Sequence, residues 1–176
     1  IPYLTNFCDK IIICNSQEFK VLNLEGFLKQ VYPTIFYKFE FIYTNNDKFI
    51  CYSKWLHTLK VKYDSLFIYK HFIILNDSFL IHKSMDNFFN FINSNYEMQT
   101  LLISNESKRH FTDFIRSYNY PGILKLIRLY EKYISLTLNK KILSHELISE
   151  LEIGSQNIFF IKDGLFEEND NININF

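Results

Sequence analysis

Glycine, proline and cysteine are all scarce in this chain, and their scarcity excludes several kinds of protein. Only four glycines, three prolines and three cysteines occur among the 176 residues. Chains rich in glycine and proline are typically collagen-like or disordered, and chains dense in cysteine are typically small secreted scaffolds. Cys8, Cys14 and Cys51 have no CxxC spacing and cannot all pair with one another. We therefore expect reduced, buried thiols in a cytoplasmic protein.

Excess charge and long apolar runs are absent as well. Lysine plus arginine equals aspartate plus glutamate, at 19 each, which removes the positive charge typical of a nucleic-acid-binding protein. No run approaches the ~20 apolar residues of a membrane-spanning helix, and no signal peptide opens the chain. No Ser-His-Asp, P-loop or zinc pattern is present. We expect no nucleic-acid partner and a cytoplasmic location.

Hydrophobic side chains, in contrast, are abundant. They make up 48% of the chain, and the 19 phenylalanines dominate the aromatic residues. A chain of this length and composition can bury one sizeable core. We predict a single domain over residues 1–176, with a frayed asparagine-rich tail at residues 169–176.

Strand and helix patterns alternate in the first half of the chain. Short apolar or β-branched runs predict strands, and apolar residues at helical spacing predict helices. The predicted order is strand Lys10–Cys14, helix Glu18–Val31, strand Thr34–Tyr43, helix Phe49–Val61 and strand Phe72–Leu75. This order favours an α/β fold in which a mostly parallel sheet has helices on both faces. The strands near Ile11, Phe39 and Ile74 should run parallel in one sheet.

The second half of the chain is predicted to be largely helical, which gives the fold a helical C-terminal part. The predicted elements are helix Met85–Ile92, strand Gln99–Ser104, helices Ser107–Tyr118, Gly122–Leu138 and Leu143–Leu151, and strand Ile158–Ile161.

Polar residues follow each of the first three predicted strands. Asn15 follows the first strand, Asn46 and Asp47 follow the second, and the segment Asn76–Ser78 follows the third. Open parallel sheets bind ligands just beyond the carboxyl ends of their strands. We therefore predict a ligand site there, with Asn15, Asn46 and Asp77 at the same edge. The alternative is a turn in which the Asn and Asp side chains bond their own backbone.

Four stretches, kept in order along most of the chain, carry a resemblance to a known family. They are YLTNFCDKIIICN at residues 3–15, YDSLFIYKHFIILNDS at 63–78, EMQTLLI followed by FTDFI and LYEK at 97–132, and FIKDGLF at 160–166. With them the chain resembles the rhamnan synthesis protein F family, bacterial glycosyltransferases of capsule and cell-wall polysaccharide assembly.

The resemblance has three departures. The stretch TNNDKFICY at residues 44–52 lacks both glycines of the family pattern, and its Asp47 is displaced by one position. Those glycines would let the backbone approach a nucleotide. The Tyr63–Asp64 pair stands several residues further upstream than the family places it. The family's nucleotide-binding strand should also precede Leu4, so the chain is expected to lack its first strand.

The resemblance implies a glycosyltransferase-A-like nucleotide-binding domain. The implied reaction transfers a sugar such as rhamnose from a nucleotide-diphosphate donor to a growing surface polysaccharide. The implied acceptor is lipid-linked or polysaccharide, which implies peripheral association with the inner face of the plasma membrane. The alternative is a non-catalytic glycosyltransferase-like module that binds a partner or glycan in an assembly complex.

The resemblance also implies roles for individual residues. Asp77 would hold Mg²⁺ or Mn²⁺, whose charge neutralises the leaving diphosphate. The implied donor-binding residues are Asn15, Asn46, Asp47, Asn76, Ser78, Gln99 and Lys162. For Gln99 the plain alternative is a strand-end side chain bonded to backbone, and for Lys162 it is a solvated lysine.

Glu131 matches the family's Tyr-Glu motif and is the implied catalytic base. An inverting transfer needs a carboxylate to take the proton of the attacking acceptor hydroxyl. The alternative is a solvent-facing glutamate paired with Lys125, Arg128 or Lys132. Asp77 or Asp113 could serve as the base instead.

Overall fold

The computed structural model describes residues 2–45, 51–75, 84–92, 94–100, 103–104, 110–111 and 115–140. Contacts divide the chain into two compact units, Ile1–Lys62 and Tyr63–Phe176. Both units mix helices with strands, so the mixed α/β class predicted from the sequence is confirmed. The prediction of one domain over residues 1–176 stays a prediction. The predicted elements beyond residue 140 and the predicted tail lie outside the described residues.

The first unit contains a parallel pair of strands. Its strands and α-helices are β1 (Ile11–Ser16), α1 (Leu24–Val31), β2 (Phe39–Thr44) and α2 (Cys51–Val61), with 3-10 turns at Pro2–Asn6, Gln17–Leu22 and Phe36–Lys38. β1 and β2 run parallel, with Ile11 opposite Phe39 and Ser16 opposite Thr44. The predicted parallel arrangement of the first two strands is therefore confirmed.

The core of the first unit lies between the strand pair and its helices. Its buried apolar side chains are Leu4, Leu28, Phe39, Ile42, Leu56 and Leu59. The predicted helix Glu18–Val31 is interrupted, because Asn23 takes a left-handed conformation with φ of 47° between the 3-10 turn and α1. The Asn23 side chain then accepts a hydrogen bond from the Gly26 N–H at 3.1 Å. It caps α1 at its N-terminus.

The second unit is built around an antiparallel sheet. Its elements are a 3-10 turn at Tyr63–Ile68, β3 (His71–Leu75), α3 (Asp86–Phe91), β4 (Met98–Thr100), β5 (Ile103–Ser104), β6 (His110–Phe111), β7 (Ile115–Asn119) and α4 (Tyr120–Lys140). β7 lies between β3 and β4 and is antiparallel to both. β5 and β6 form a separate antiparallel pair.

Two predictions about this unit were wrong. In the described part of the chain, the strand near Ile74 pairs antiparallel with β7 and shares no sheet with β1 and β2. The predicted helix Ser107–Tyr118 is replaced by β6 and β7. Both errors have one cause. The sequence pattern of β7 was mistaken for a helix, so the true partner of β3 was missing from the prediction.

Helix α4 begins at Tyr120, two residues before the predicted Gly122, and hydrogen bonds fix its start. The Asn119 side chain accepts a hydrogen bond from the Gly122 N–H at 2.9 Å and donates one to the Ser94 carbonyl at 2.8 Å. A Cβ atom at Gly122 would overlap the Glu97 carbonyl, so this position requires glycine. The buried face of α4 consists of Ile123, Leu126, Ile127 and Tyr130. Across the described residues, no helix is long and apolar enough to cross a membrane.

Candidate functional site

The carboxyl ends of β1 and β2 form a polar edge in the first unit. Asn15 lies opposite Tyr43, and Ser16 lies opposite Thr44 in the parallel register. The half-buried Asn15 side chain accepts a hydrogen bond from the Ser16 N–H at 2.8 Å. Asn15 therefore lies at the carboxyl edge of the parallel pair, as predicted. The strand that Asp77 follows, β3, belongs to another sheet, so the prediction of one shared sheet edge for Asn15, Asn46 and Asp77 was wrong. In this structure, however, the side-chain amide oxygen of Asn15 is bonded to the N–H of the next residue.

Helix α2 runs antiparallel to the strands, which places its first turn at this polar edge. Just after α2, Lys62 forms an ion pair with Glu40 near the start of β2. One helical turn earlier along α2, Thr58 lies beside the Cys14 thiol. The positive charge of Lys54 is also close enough to oppose the rise in the pKa of that thiol. One helical turn advances about 5.4 Å and two strand residues advance about 6.6 Å. Ser16 lies two strand residues beyond Cys14, and Lys54 lies one helical turn before Thr58. The ends of β1 and β2, at Ser16 and Thr44, therefore lie beside the first turn of α2, residues 51–54.

The Ser16 hydroxyl is buried on the side of the strands that faces α2. Side chains alternate along a strand, so Ser16 shares a face with Cys14, whose thiol lies beside α2. Ser16 has 0% exposure, and its Oγ has no hydrogen-bond partner within the described part of the chain. It precedes the 3-10 turn Gln17–Leu22 without capping it. A buried hydroxyl in such a position costs free energy unless a partner arrives.

The first turn of α2 carries positive but no negative charge. It contains the half-exposed Lys54 and no acidic residue. The N-terminus of a helix already bears partial positive charge and unsatisfied N–H groups, so a cation there is unfavourable unless an anion is nearby. The start of α2 with Lys54 and the end of β1 with Ser16 therefore lie toward the same edge of the sheet. Together these groups suit an anionic ligand.

The Cys14 thiol beneath this edge is kept in its neutral form. Burial raises the pKa of the Cys14 thiol, while the nearby Thr58 hydroxyl and Lys54 ammonium group oppose that rise. Burial also raises the pKa of Cys8, and Lys38 opposes that rise. Both are free thiols, as predicted, but they are partly exposed and not buried as the sequence analysis expected. Neither has the lowered pKa of a nucleophilic cysteine.

Gln99 is buried in the second unit. It is 9% exposed and lies at the centre of the three-residue strand β4, opposite Ser117 of β7. Ser117 and its neighbour Arg116 are each 2% exposed. The burial of these neighbouring polar side chains indicates that Gln99 belongs to the interior of its unit. Its role as a ligand contact stays a prediction.

Glu131 lies on the exposed side of α4. The neighbouring Tyr130 is 3% exposed and faces the core, whereas Glu131 and Arg128 are exposed. Lys125, one of the proposed partners of Glu131, forms an ion pair with Glu97. The position is open to an incoming acceptor, and it also fits a glutamate that faces solvent. The structure therefore leaves both interpretations of Glu131 in place.

The other predicted site residues lie outside the described residues: Asn46, Asp47, Asn76, Asp77, Ser78 and Lys162. Within the described ranges, no group of three histidine, cysteine or acidic side chains is arranged to hold a metal ion. The predicted Mg²⁺ or Mn²⁺ ligand, Asp77, is not among those residues. The metal therefore stays a prediction.

Sequence reasoning missed Ser16 and Lys54 as candidate site residues. The burial of Ser16 could not be deduced without knowing where α2 lies. A signal was nevertheless present, since Ser16 follows an apolar strand and Lys54 lies within the first turn of the helix after the next strand. In a strand–helix–strand pattern these positions converge.

Comparisons with known proteins give no assignment. No family model matches the chain, and neither a curated protein nor a solved structure matches it. The resemblance to the rhamnan synthesis protein F family therefore stays a prediction from the sequence.

Proposed function

We propose that the chain is a glycosyltransferase, or the nucleotide-sugar-binding part of one, that uses a nucleotide-diphosphate sugar as donor. The observation that carries the proposal is the polar carboxyl edge of the parallel pair β1–β2. Asn15, Ser16 and Thr44 meet there at the level of the first turn of α2. Parallel strands with a helix crossing one face bind nucleotides at this kind of edge.

The finer fold assignment is part of the same proposal. A glycosyltransferase-A-like domain would contain a mostly parallel sheet with helices on both faces. The β1–β2 pair with its associated α2 supports this assignment. The antiparallel sheet of β3, β7 and β4 gives it no support.

In the proposed reaction, the acceptor hydroxyl attacks the anomeric carbon of the donor sugar. A carbon–oxygen bond forms to the acceptor, the bond from the anomeric carbon to the phosphate oxygen breaks, and the nucleotide diphosphate leaves. Glu131 takes the proton of the acceptor hydroxyl as general base.

The proposed partners follow from the same resemblance. The donor sugar is a hexose such as rhamnose, and the acceptor is a lipid-linked or growing surface polysaccharide. The proposed location is the cytoplasm, with peripheral association at the inner face of the plasma membrane. Asp77 with Mg²⁺ or Mn²⁺ remains the proposed metal site, and no step of the mechanism is derived from it.

The second candidate is a non-catalytic module that binds a nucleotide sugar, a glycan or a partner. One observation favours it specifically. Glu131 is exposed beside the buried face of α4, as an ordinary surface glutamate would be. A binding module would retain the polar edge of β1–β2 but would not turn over the donor.

Calorimetric titration tests the proposal and separates the two candidates. The chain is titrated with UDP-, GDP- and dTDP-sugars, with and without Mn²⁺, and donor breakdown is followed by mass spectrometry in the same samples. We expect saturable heat for at least one donor and slow release of its nucleotide diphosphate. Binding without any release would favour the module. No heat from any donor would contradict the glycosyltransferase and leave only a module that binds a glycan or a partner.

A further inference from the structure

We propose that an exposed apolar stripe on the first unit is a binding surface for a membrane that contains anionic lipid. The stripe consists of four large side chains on the 3-10 turn Gln17–Leu22 and on α1: Phe19, Leu22, Phe27 and Val31. The function proposed above names no surface of the chain that meets a membrane. This inference supplies one, and it rests on the proposed function only for the identity of that membrane.

The first argument is the exposure of these side chains. Their exposed fractions run from 44% at Phe19 to 69% at Leu22, and the neighbouring Val21 is 85% exposed. Single apolar side chains are ordinary on a protein surface, whereas a contiguous row of them marks a surface that binds another molecule. Side chains this exposed protrude from the surface, as side chains that insert among lipid head groups do.

The second argument is that the four side chains adjoin. Residues three apart on a 3-10 helix lie on the same side, which joins Phe19 to Leu22. Residues four apart on an α-helix share a face, which joins Phe27 to Val31. The two pairs meet at Asn23, which follows Leu22 directly and whose carbonyl accepts a hydrogen bond from the Phe27 N–H at 3.0 Å. The stripe therefore continues from the 3-10 turn onto α1.

The two acidic residues of this segment lie to the side of the stripe. Glu25 is two residues before Phe27, and residues two apart on an α-helix point about 200° away from each other. Glu18 is three residues before Val21 and shares its side of the 3-10 turn, not that of Phe19. Neither carboxylate therefore interrupts the apolar row.

The third argument is the charge of the first unit, which matches an anionic surface. Residues 1–62 contain eight lysines, no arginine and five acidic residues, which leaves a net charge of +3. The whole chain is neutral, so residues 63–176 carry a net charge of −3. Anionic lipid head groups attract a basic surface. A purely apolar partner would give this separation of charge no role.

Co-sedimentation of the full chain with vesicles tests the surface. The vesicles contain phosphatidylcholine alone or phosphatidylcholine with phosphatidylglycerol, and each series is made at low and at high salt. Leu22→Ser and Phe27→Ser each remove one side chain from the stripe. Phe67→Ser is the matched control, because Phe67 is likewise exposed but lies in the negatively charged second unit. The melting temperature and the oligomeric state of every variant are measured without lipid.

We expect the unmodified chain to bind vesicles that contain phosphatidylglycerol, and to bind them more tightly at low salt because salt screens the lysines. Leu22→Ser and Phe27→Ser should each weaken binding about tenfold or more, since each removes an apolar side chain that leaves water on binding. Phe67→Ser should leave binding unchanged. The melting temperatures of the two stripe variants should change little, because the side chains are exposed.

Phe27→Trp gives a direct measure of insertion. Tryptophan suits the membrane–water interface, so this variant should still bind. Lipids with brominated acyl chains should quench the added tryptophan more than they quench Trp55 in the unmodified protein. Equal quenching in the two proteins would contradict insertion of the stripe.

Failure of the unmodified chain to bind either kind of vesicle would overturn the proposal. Undiminished binding by both stripe variants would overturn it as well. A stripe covered by protein gives a different result: Leu22→Ser and Phe27→Ser would lower the melting temperature or dissociate a dimer, and no vesicles would bind.

The donor titrations are made without lipid, so the two proposals fail separately. Vesicle binding through the stripe, with no donor bound or broken down, would leave the membrane surface standing and contradict the glycosyltransferase. Donor turnover without vesicle binding would leave the glycosyltransferase standing and contradict the membrane surface.

Discussion

Among single residues, His71 shows most clearly how surroundings change the behaviour of a polar side chain. Its Nε2 lies 3.1 Å from the Ser94 hydroxyl at the start of β3. Burial lowers the pKa of His71, and the adjacent Lys70 lowers it further. The folded state therefore favours the neutral imidazole, while the unfolded chain accepts a proton near the ordinary pH of about 6.5.

This difference predicts a loss of stability on acidification. A group with a lowered folded-state pKa contributes stability above its unfolded value and loses that contribution as pH falls through the folded value. We expect the urea midpoint to fall between about pH 7 and pH 5, and to fall less in His71→Gln. The control is His57→Gln, at an exposed position on α2. Equal pH slopes in the unmodified protein and in His71→Gln would contradict the prediction.

Glu131 is the residue whose role separates catalysis from binding. If it is the general base, Glu131→Gln should reduce donor turnover by about 10² to 10⁴ and leave donor affinity nearly intact. The matched control is Glu25→Gln, an exposed glutamate in the first turn of α1. Both quantities are measured by steady-state kinetics and titration. Full turnover in Glu131→Gln would show that Glu131 is not the general base and that another residue takes the proton.

Among the elements, the start of α4 depends on a buried cap. Asn119 is 8% exposed and makes two hydrogen bonds, to Gly122 and Ser94. We expect Asn119→Ala to lower the free energy of unfolding by about 2 kcal/mol, because it leaves buried backbone groups unpaired. The comparison is Asn23→Gly at the exposed cap of α1, which should cost only a few tenths of a kcal/mol. Asn23 has a positive φ that glycine adopts freely.

Chemical denaturation measures both cap variants under the same conditions. A cost for Asn119→Ala no larger than that for Asn23→Gly would show that the buried cap is not needed to fix α4. In that case the overlap that a side chain at Gly122 would make with Glu97 would become the main constraint on the start of the helix.

The sequence predicted β1, β2, α2, β3 and α4 because their patterns are strong. A continuous apolar run or an apolar face at helical spacing is readable without tertiary contacts. The strand β7 shows where this fails. Its sequence IRSYN has polar residues at Arg116, Ser117 and Asn119, yet all five positions are buried between β3 and β4. Pairing on both sides decides its conformation, and a single sequence does not reveal that pairing.

For the candidate site, the sequence predicted the carboxyl edge of β1 and β2 but not the Ser16 and Lys54 side chains near it. Asn15 could be predicted because it follows an apolar strand. The burial of Ser16 and the position of Lys54 depend on the direction in which α2 packs against β1 and β2. That direction is a property of packing, so it required the structure.

For the whole molecule, we propose that a nucleotide diphosphate binds at the carboxyl edge of β1 and β2, near the first turn of α2. Free N–H groups at the start of a helix have no partner within the helix and exchange quickly with solvent. A bound phosphoryl group should therefore slow the exchange of these particular amides.

Hydrogen exchange followed by mass spectrometry, with and without saturating UDP or GDP, tests this claim most directly. We expect slower exchange at residues 51–54 and around Asn15 and Ser16, with residues 123–127 of α4 unchanged. Binding of the nucleotide with protection confined to other segments, or no change in exchange anywhere, would contradict the claim.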